Sequence, residues 1–169
     1  EGGYGSVKEY FEDQSEGKFV PKFDVFGPIT LGNKMEHYGG NDVNGEDKNA
    51  RAMISEACKI ANSQEDIDFS RYDNDGDGYV DIVYVIYAGY GEASNINVLE
   101  NTIWPHQWNL ETGLDLDGVK VSKYACNNEL NGYQGSTIDG IGTFCHEFSH
   151  CLGLPDFYPT NNTNAFGME

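Results

Sequence analysis

The stretch HEFSHCLGLPD, residues 146–156, leaves the chain few ways to fold. In a helix, residues four apart share a face, so His146 and His150 stand one turn above each other and can aim two imidazoles at one point. Gly153 marks where that helix should stop, because glycine accepts the left-handed conformation that ends a helix, and Pro155 prevents it from resuming. The reversed chain can carry Asp156 back toward the same point. His146, His150 and Asp156 then form a donor set suited to Zn(II), with one coordination position left open, as catalytic rather than structural zinc requires. Glu147 lies about 100° around the helix from His146, poorly placed to ligate the ion but able to reach a water there, which suits a general base.

The rest of the chain must build a frame for that helix. Ser6 followed by Glu9 predicts a capping box opening a short helix that runs to Gln14. KFVPKFDVFGPITL, residues 18–31, is rich in Phe, Val and Ile and reads as an edge strand, its prolines at 21 and 28 implying bulges. GGNDVNGEDK reads as a loop, after which Ala50, Met53, Ile54, Ala57 and Ile60 recur at helical spacing and predict an amphipathic helix covering a sheet. YVDIVYVIYAGYG is dense in β-branched and aromatic residues and predicts a central strand ending at Gly89 and Gly91. NTIWPHQWNL and VKVSKYACNNEL predict two further strands. With Ser136 or Thr137 as cap, Ile141, Phe144, Cys145, Phe148 and Leu152 form one apolar helical face. This order of elements predicts an α/β or α+β sandwich with one mixed sheet.

A second cation is implied by DNDGDGYVD, where Asp73, Asp75, Asp77 and Asp81 follow the order D-x-D-x-D-G-x-x-D. Gathered carboxylates repel unless a cation sits among them. Calcium accepts roughly six to eight oxygens in flexible geometry, and Gly78 permits the turn that lets the Tyr79 carbonyl join. Counted as an EF-hand, the closing position falls on Tyr84 rather than a glutamate, and a strand follows instead of a helix. The loop therefore predicts a structural calcium clip and not a sensor.

Composition removes several classes of function. Acidic residues number 28 against 10 basic, a formal charge of -18, which repels phosphate backbones and anionic membranes. Nucleic acid is excluded as a partner, and no apolar run reaches the length that spans a bilayer. The length suits one domain, residues 1–169, and the start at Glu1 without a signal segment suggests a piece trimmed from a longer protein. Cys58, Cys126, Cys145 and Cys151 show no C-x-x-C spacing. Cys145 and Cys151 should diverge on one helix and not bridge, leaving long-range disulfides or buried thiols. His106, between Trp104 and Trp108, reads as a packed strand residue rather than a catalytic one, and His37 as a surface loop residue.

H-E-x-x-H-x-x-G-x-x-D resembles the long zinc signature of metzincin-like peptidases with aspartate in the third place. HEFSHCLGLPDFY in particular resembles the immune inhibitor A family of secreted bacterial metalloendopeptidases, as do YFEDQSEGKFVPKFDVFGPITL, YDNDGDGYVDIVYVIYAGYGEAS and TIWPHQW, so that nearly the whole chain is covered. The resemblance implies a metzincin-like zincin catalytic domain, with a mixed, twisted sheet of about five strands backed by two helices. It also implies His146, His150 and Asp156 as zinc ligands and Glu147 as general base and acid. Enzymes of that group carry a methionine turn after the third ligand, whereas the only downstream methionine here is Met168. That turn is expected beyond Glu169, with the lower subdomain truncated.

The functional expectation is a zinc-dependent endopeptidase with one catalytic zinc and one structural calcium. Its partner is a protein or peptide in extended conformation, laid along an edge strand for which TIWPHQWNL is the best local candidate. The chain is expected to act as a monomer, without membrane insertion, in a secreted or cell-surface setting where millimolar calcium fills a weak site. The alternatives are a calcium-stabilised surface-binding module whose zinc is structural, and a latent fragment that binds zinc without activity.

Overall fold

The computed structural model describes residues 5–64 and 67–157. Helix α1 (Val7–Gln14) opens with the expected capping box: Glu9 N–H donates to Ser6 Oγ at 3.2 Å, and Ser6 N–H donates to the Glu9 carboxylate at 2.7 Å. Two short helices, α2 (Met35–Gly39) and α4 (Ile96–Leu99), were not anticipated; between them lie α3 (Ala50–Gln64) and β1 (Val83–Tyr90). His37 sits exposed on α2 rather than in a loop. β2 (His106–Leu116), β3 (Val119–Leu130) and α5 (Ile141–Cys151) follow, and two short 3-10 turns, Phe69–Tyr72 and Glu92–Ser94, flank β1.

The sheet is mixed, as expected: β3 pairs in parallel with β1 and antiparallel with β2, in the order β1-β3-β2. Three strands are found among the described residues. β1 lies at an edge of this sheet and β3 in the middle, so the expectation of a central β1 is corrected. A continuous apolar run says nothing about lateral neighbours, and cover is incomplete on the Tyr84 face, where Ile86 is 60% exposed.

Alternation along β1 divides two cores. Val83, Val85 and Tyr87 join Met53, Ile54 and Cys58 of α3, together with Val121, Tyr124 and Cys126 of β3. Ile82 and Tyr84 point the other way, toward Phe144, Cys145 and Phe148 of α5 and Phe11 of α1. The Tyr84 and Phe144 rings stack at 3.7 Å between centroids. One helix thus packs on each face of the sheet, an α/β sandwich in which α5 is held from beneath by aromatic side chains.

Residues 18–31 do not form the expected edge strand. Pro21 and Pro28 have no N–H to give a ladder, and the aromatic alternation serves a different purpose. Phe23 meets Phe144 and Phe148 edge-on at 5.7 and 5.4 Å, and Phe19 stacks on Phe148 at 6.4 Å, so the segment is clipped over α5. All four cysteines are free and buried, Cys145 and Cys151 both on α5. No helix among the described residues is long and apolar enough to cross a membrane. Met168 lies outside the described residues.

Candidate active site

Helix α5 begins at Ile141 with Gly140 as N-cap, later than the expected Ser136 or Thr137. Its buried side, Cys145, Phe148 and Cys151, fixes its rotation, which leaves His146 and His150 on the more open side. The helix ends as the glycine predicts. Gly153 has φ 89°, its N–H donates to the His150 carbonyl at 2.9 Å, and Leu154 N–H donates to Ser149 at 3.1 Å.

That reversal does two things. It presents the Leu154 carbonyl to His150 Nδ1 at 2.8 Å, and since a carbonyl only accepts, Nδ1 carries the proton and Nε2 keeps its lone pair for a metal. It also returns Asp156, whose Oδ1 lies 3.4 Å from His146 Nε2 and 3.2 Å from His150 Nε2. The two Nε2 atoms are 3.2 Å apart. Ligands about 2.0–2.1 Å from a tetrahedral ion stand about 3.3–3.4 Å from one another, so this triangle has the size of a zinc coordination face. Asp156 Oδ1 is buried without a hydrogen bond, and a cation at the centre of the triangle would satisfy it. The donor set fits the metal.

Glu147 is 7% exposed, and its Oε1 is 4.0 Å from His146 Nε2, beside the triangle rather than part of it. Burial pushes its carboxyl up to about 7, with the Asp156 charge adding to the rise; His150 and the Gln107 backbone N–H oppose it. Burial likewise lowers His146, helped by its neighbour His150. Glu147 and His146 open onto a cleft of about 430 Å³ walled by Ser94, Trp104, Asn128, Asp139 and Thr143. These wall residues carried no local signal: they come from separate segments between Ser94 and Thr143, and Asp139 in TIDG reads as an ordinary turn residue.

His106 faces inward. Its Nδ1–H donates to the Trp104 carbonyl at 2.6 Å, its Nε2 accepts from the Tyr124 hydroxyl at 2.9 Å, and burial lowers its pKa. Both nitrogens are thus occupied within the fold, Nε2 tying β2 to β3 and Nδ1 tying it to the residues just before β2.

In the acidic loop, Asp73, Asp75 and Asp77 bring ligand oxygens within 4.8 Å of one another. Asp73 accepts backbone N–H bonds from Gly76, Asp77 and Gly78, and Asp77 accepts from Tyr79 at 2.8 Å. Asp81 is not in that group; its carboxylate accepts from the Asn74 amide. The strand exit is stitched to β3, with Val80 N–H donating to the Lys120 carbonyl at 3.0 Å and Lys120 N–H to Gly78 at 2.9 Å.

A helix bearing H-E-x-x-H, a buried glutamate beside its imidazoles and an aspartate returned by a chain reversal together make up the arrangement of a metallopeptidase catalytic domain. The chain belongs to the immune inhibitor A peptidase family: residues 2–167 match the profile described as "Immune inhibitor A peptidase M6, catalytic domain". It is 30% identical over 180 aligned positions to immune inhibitor A of Bacillus thuringiensis subsp. alesti, covering 94% of this chain and 26% of that protein. It is 29% identical over 182 positions to pre-pro-metalloprotease PrtV of Vibrio cholerae serotype O1 (strain M66-2), covering 95% of this chain and 20% of that protein. The chain thus spans about a quarter or less of the length of the curated relatives it matches.

Proposed function

We propose that this chain is the catalytic domain of a secreted, zinc-dependent endopeptidase that hydrolyses peptide bonds in extended protein substrates. The observation that carries this reading is the triangle of His146 Nε2, His150 Nε2 and Asp156 Oδ1, with edges of 3.2 to 3.4 Å. Those three residues would hold zinc, which when bound supplies Lewis acidity for the scissile carbonyl and the attacking water.

The protein's own side chains do the rest. Glu147 takes the proton from water as it attacks and delivers that proton to the departing amine, and its burial keeps the carboxylate free of bulk solvent while it does so. The Gln107 backbone N–H steadies the charged carboxylate. The Leu154 carbonyl fixes the His150 tautomer. β2 lies at a sheet edge and begins at His106, so an extended substrate can pair along its outer side next to the cleft. Asp73, Asp75 and Asp77 would hold a structural calcium, with the Tyr79 carbonyl and Asp81 as further candidate oxygens.

The test is the Glu147→Ala form of the full chain, compared with the parent for zinc content and casein hydrolysis. Both forms should carry one zinc per chain, while the rate falls about 10²–10⁴-fold or more in the variant. Undiminished cleavage would remove Glu147 from its role, and a parent that binds zinc and calcium without cleaving would favour a binding module.

A further inference from the structure

The cleft beside Glu147 has a wall whose chemistry the hydrolytic mechanism does not use. Asp139 immediately precedes the N-cap of α5, held by its backbone N–H donating to the Glu129 carbonyl at 2.8 Å. Its Oδ2 is sealed from solvent and has no hydrogen-bond partner. Among the described residues no lysine or arginine forms an ion pair with it, and none lines the cleft. Asp139 as a whole is only partly buried and lines the cleft, so the open side of its carboxylate meets any donor that enters there, while Oδ2 behind it is closed to water. The neighbouring wall is suited to the same guest. Ser94, Thr143 and Asn128 offer oxygen acceptors, Asn128 having its amide N–H committed to the Leu130 carbonyl at 2.8 Å, and Trp104 contributes an indole that is 47% exposed.

We propose that Asp139 and this wall form a specificity subsite that receives a lysine or arginine side chain of the substrate close to the scissile bond. The word scissile rests on the peptidase reading above; the recognition chemistry does not. A guanidinium brings several donors in one plane and matches a carboxylate flanked by neutral acceptors, with the Trp104 face available to the cation. The formal charge of -18 draws basic segments toward the domain from any direction, but only a group inside the cleft meets Asp139.

The experiment separates the two readings by measuring binding without catalysis. The zinc-loaded Glu147→Gln chain is titrated calorimetrically with short peptides, each carrying one arginine in a neutral frame, and with their citrulline twins, which keep the shape and remove the charge. Arginine should bind about tenfold more tightly than citrulline, with the ratio falling to near one in the added Asp139→Asn variant and returning with Asp139→Glu. Equal binding of the twins, or a ratio that Asp139→Asn leaves intact, overturns the subsite. Discrimination retained by a protein whose Glu147 parent cleaves nothing would support the subsite and sink the peptidase reading alone.

Discussion

Asp47 shows how a single carboxylate can set a pH limit on the fold. Its Oδ2 accepts the Trp104 N–H at 3.0 Å, while Oδ1 is buried without a partner. Nearby Glu92, 2% exposed, accepts from the Asn41 amide at 2.6 Å. Burial pushes the Asp47 carboxyl up to about 7, and the Glu92 charge adds to the rise. Between the ordinary carboxylate range and that value the folded protein keeps a proton that the unfolded chain has released. Unfolding therefore becomes easier as pH rises through this window: the contribution is fully present below about pH 4 and gone above about pH 7. Asp47→Asn keeps an acceptor for Trp104 and removes the titration. Its melting temperature should fall less than the parent's between about pH 5 and pH 8, measured by thermal denaturation; parallel curves would contradict the assignment.

At the scale of elements, the turn after α5 joins helix termination to the triangle of His146, His150 and Asp156. Gly153 at φ 89° is where a side chain is strained, and Ala there should cost about 1–2 kcal/mol. Because the same turn supplies the Leu154 carbonyl to His150 and returns Asp156, Gly153→Ala should also weaken zinc binding by about tenfold or more, read by competition with a chromophoric chelator. Lost stability with unchanged zinc affinity would uncouple the two. The turn, the helix and the meeting of His146, His150 and Asp156 were legible because all lie within eleven residues and follow helical spacing. The Ser6–Glu9 capping box and the α3 periodicity were legible for the same local reason. What failed was lateral or long-range. The aromatic residues of the 18–31 segment looked like strand alternation but serve as clips on α5, the sheet position of β1 was set by neighbours absent from its own pattern, and the cleft wall gathers residues from Ser94 to Thr143.

For the molecule as a whole, the acidic excess of 28 over 10 makes self-repulsion a standing cost that a bound cation relieves locally. Asp73, Asp75 and Asp77 converge on the described surface, and the loop leaving them is bonded to β3 at Lys120. A change in the order of the loop is thus felt by the middle strand of the sheet. Millimolar calcium added to calcium-free protein should raise the melting temperature by several degrees, consistent with about 2.7 kcal/mol when the ion is at a hundredfold excess over its dissociation constant. Magnesium should do so less, and Asp77→Ala should abolish the response; an unchanged melting temperature would leave the loop as an acidic turn.

The acceptor that holds the His150 proton belongs to the main chain, and this has a bearing on how such domains diverge. No substitution at position 154 short of one that alters the backbone can remove it, so Leu154 is at liberty to drift in identity while the imidazole stays aligned. Selection on the chemistry should therefore leave its mark on Gly153 and Asp156 and pass over the residue that orients the ligand.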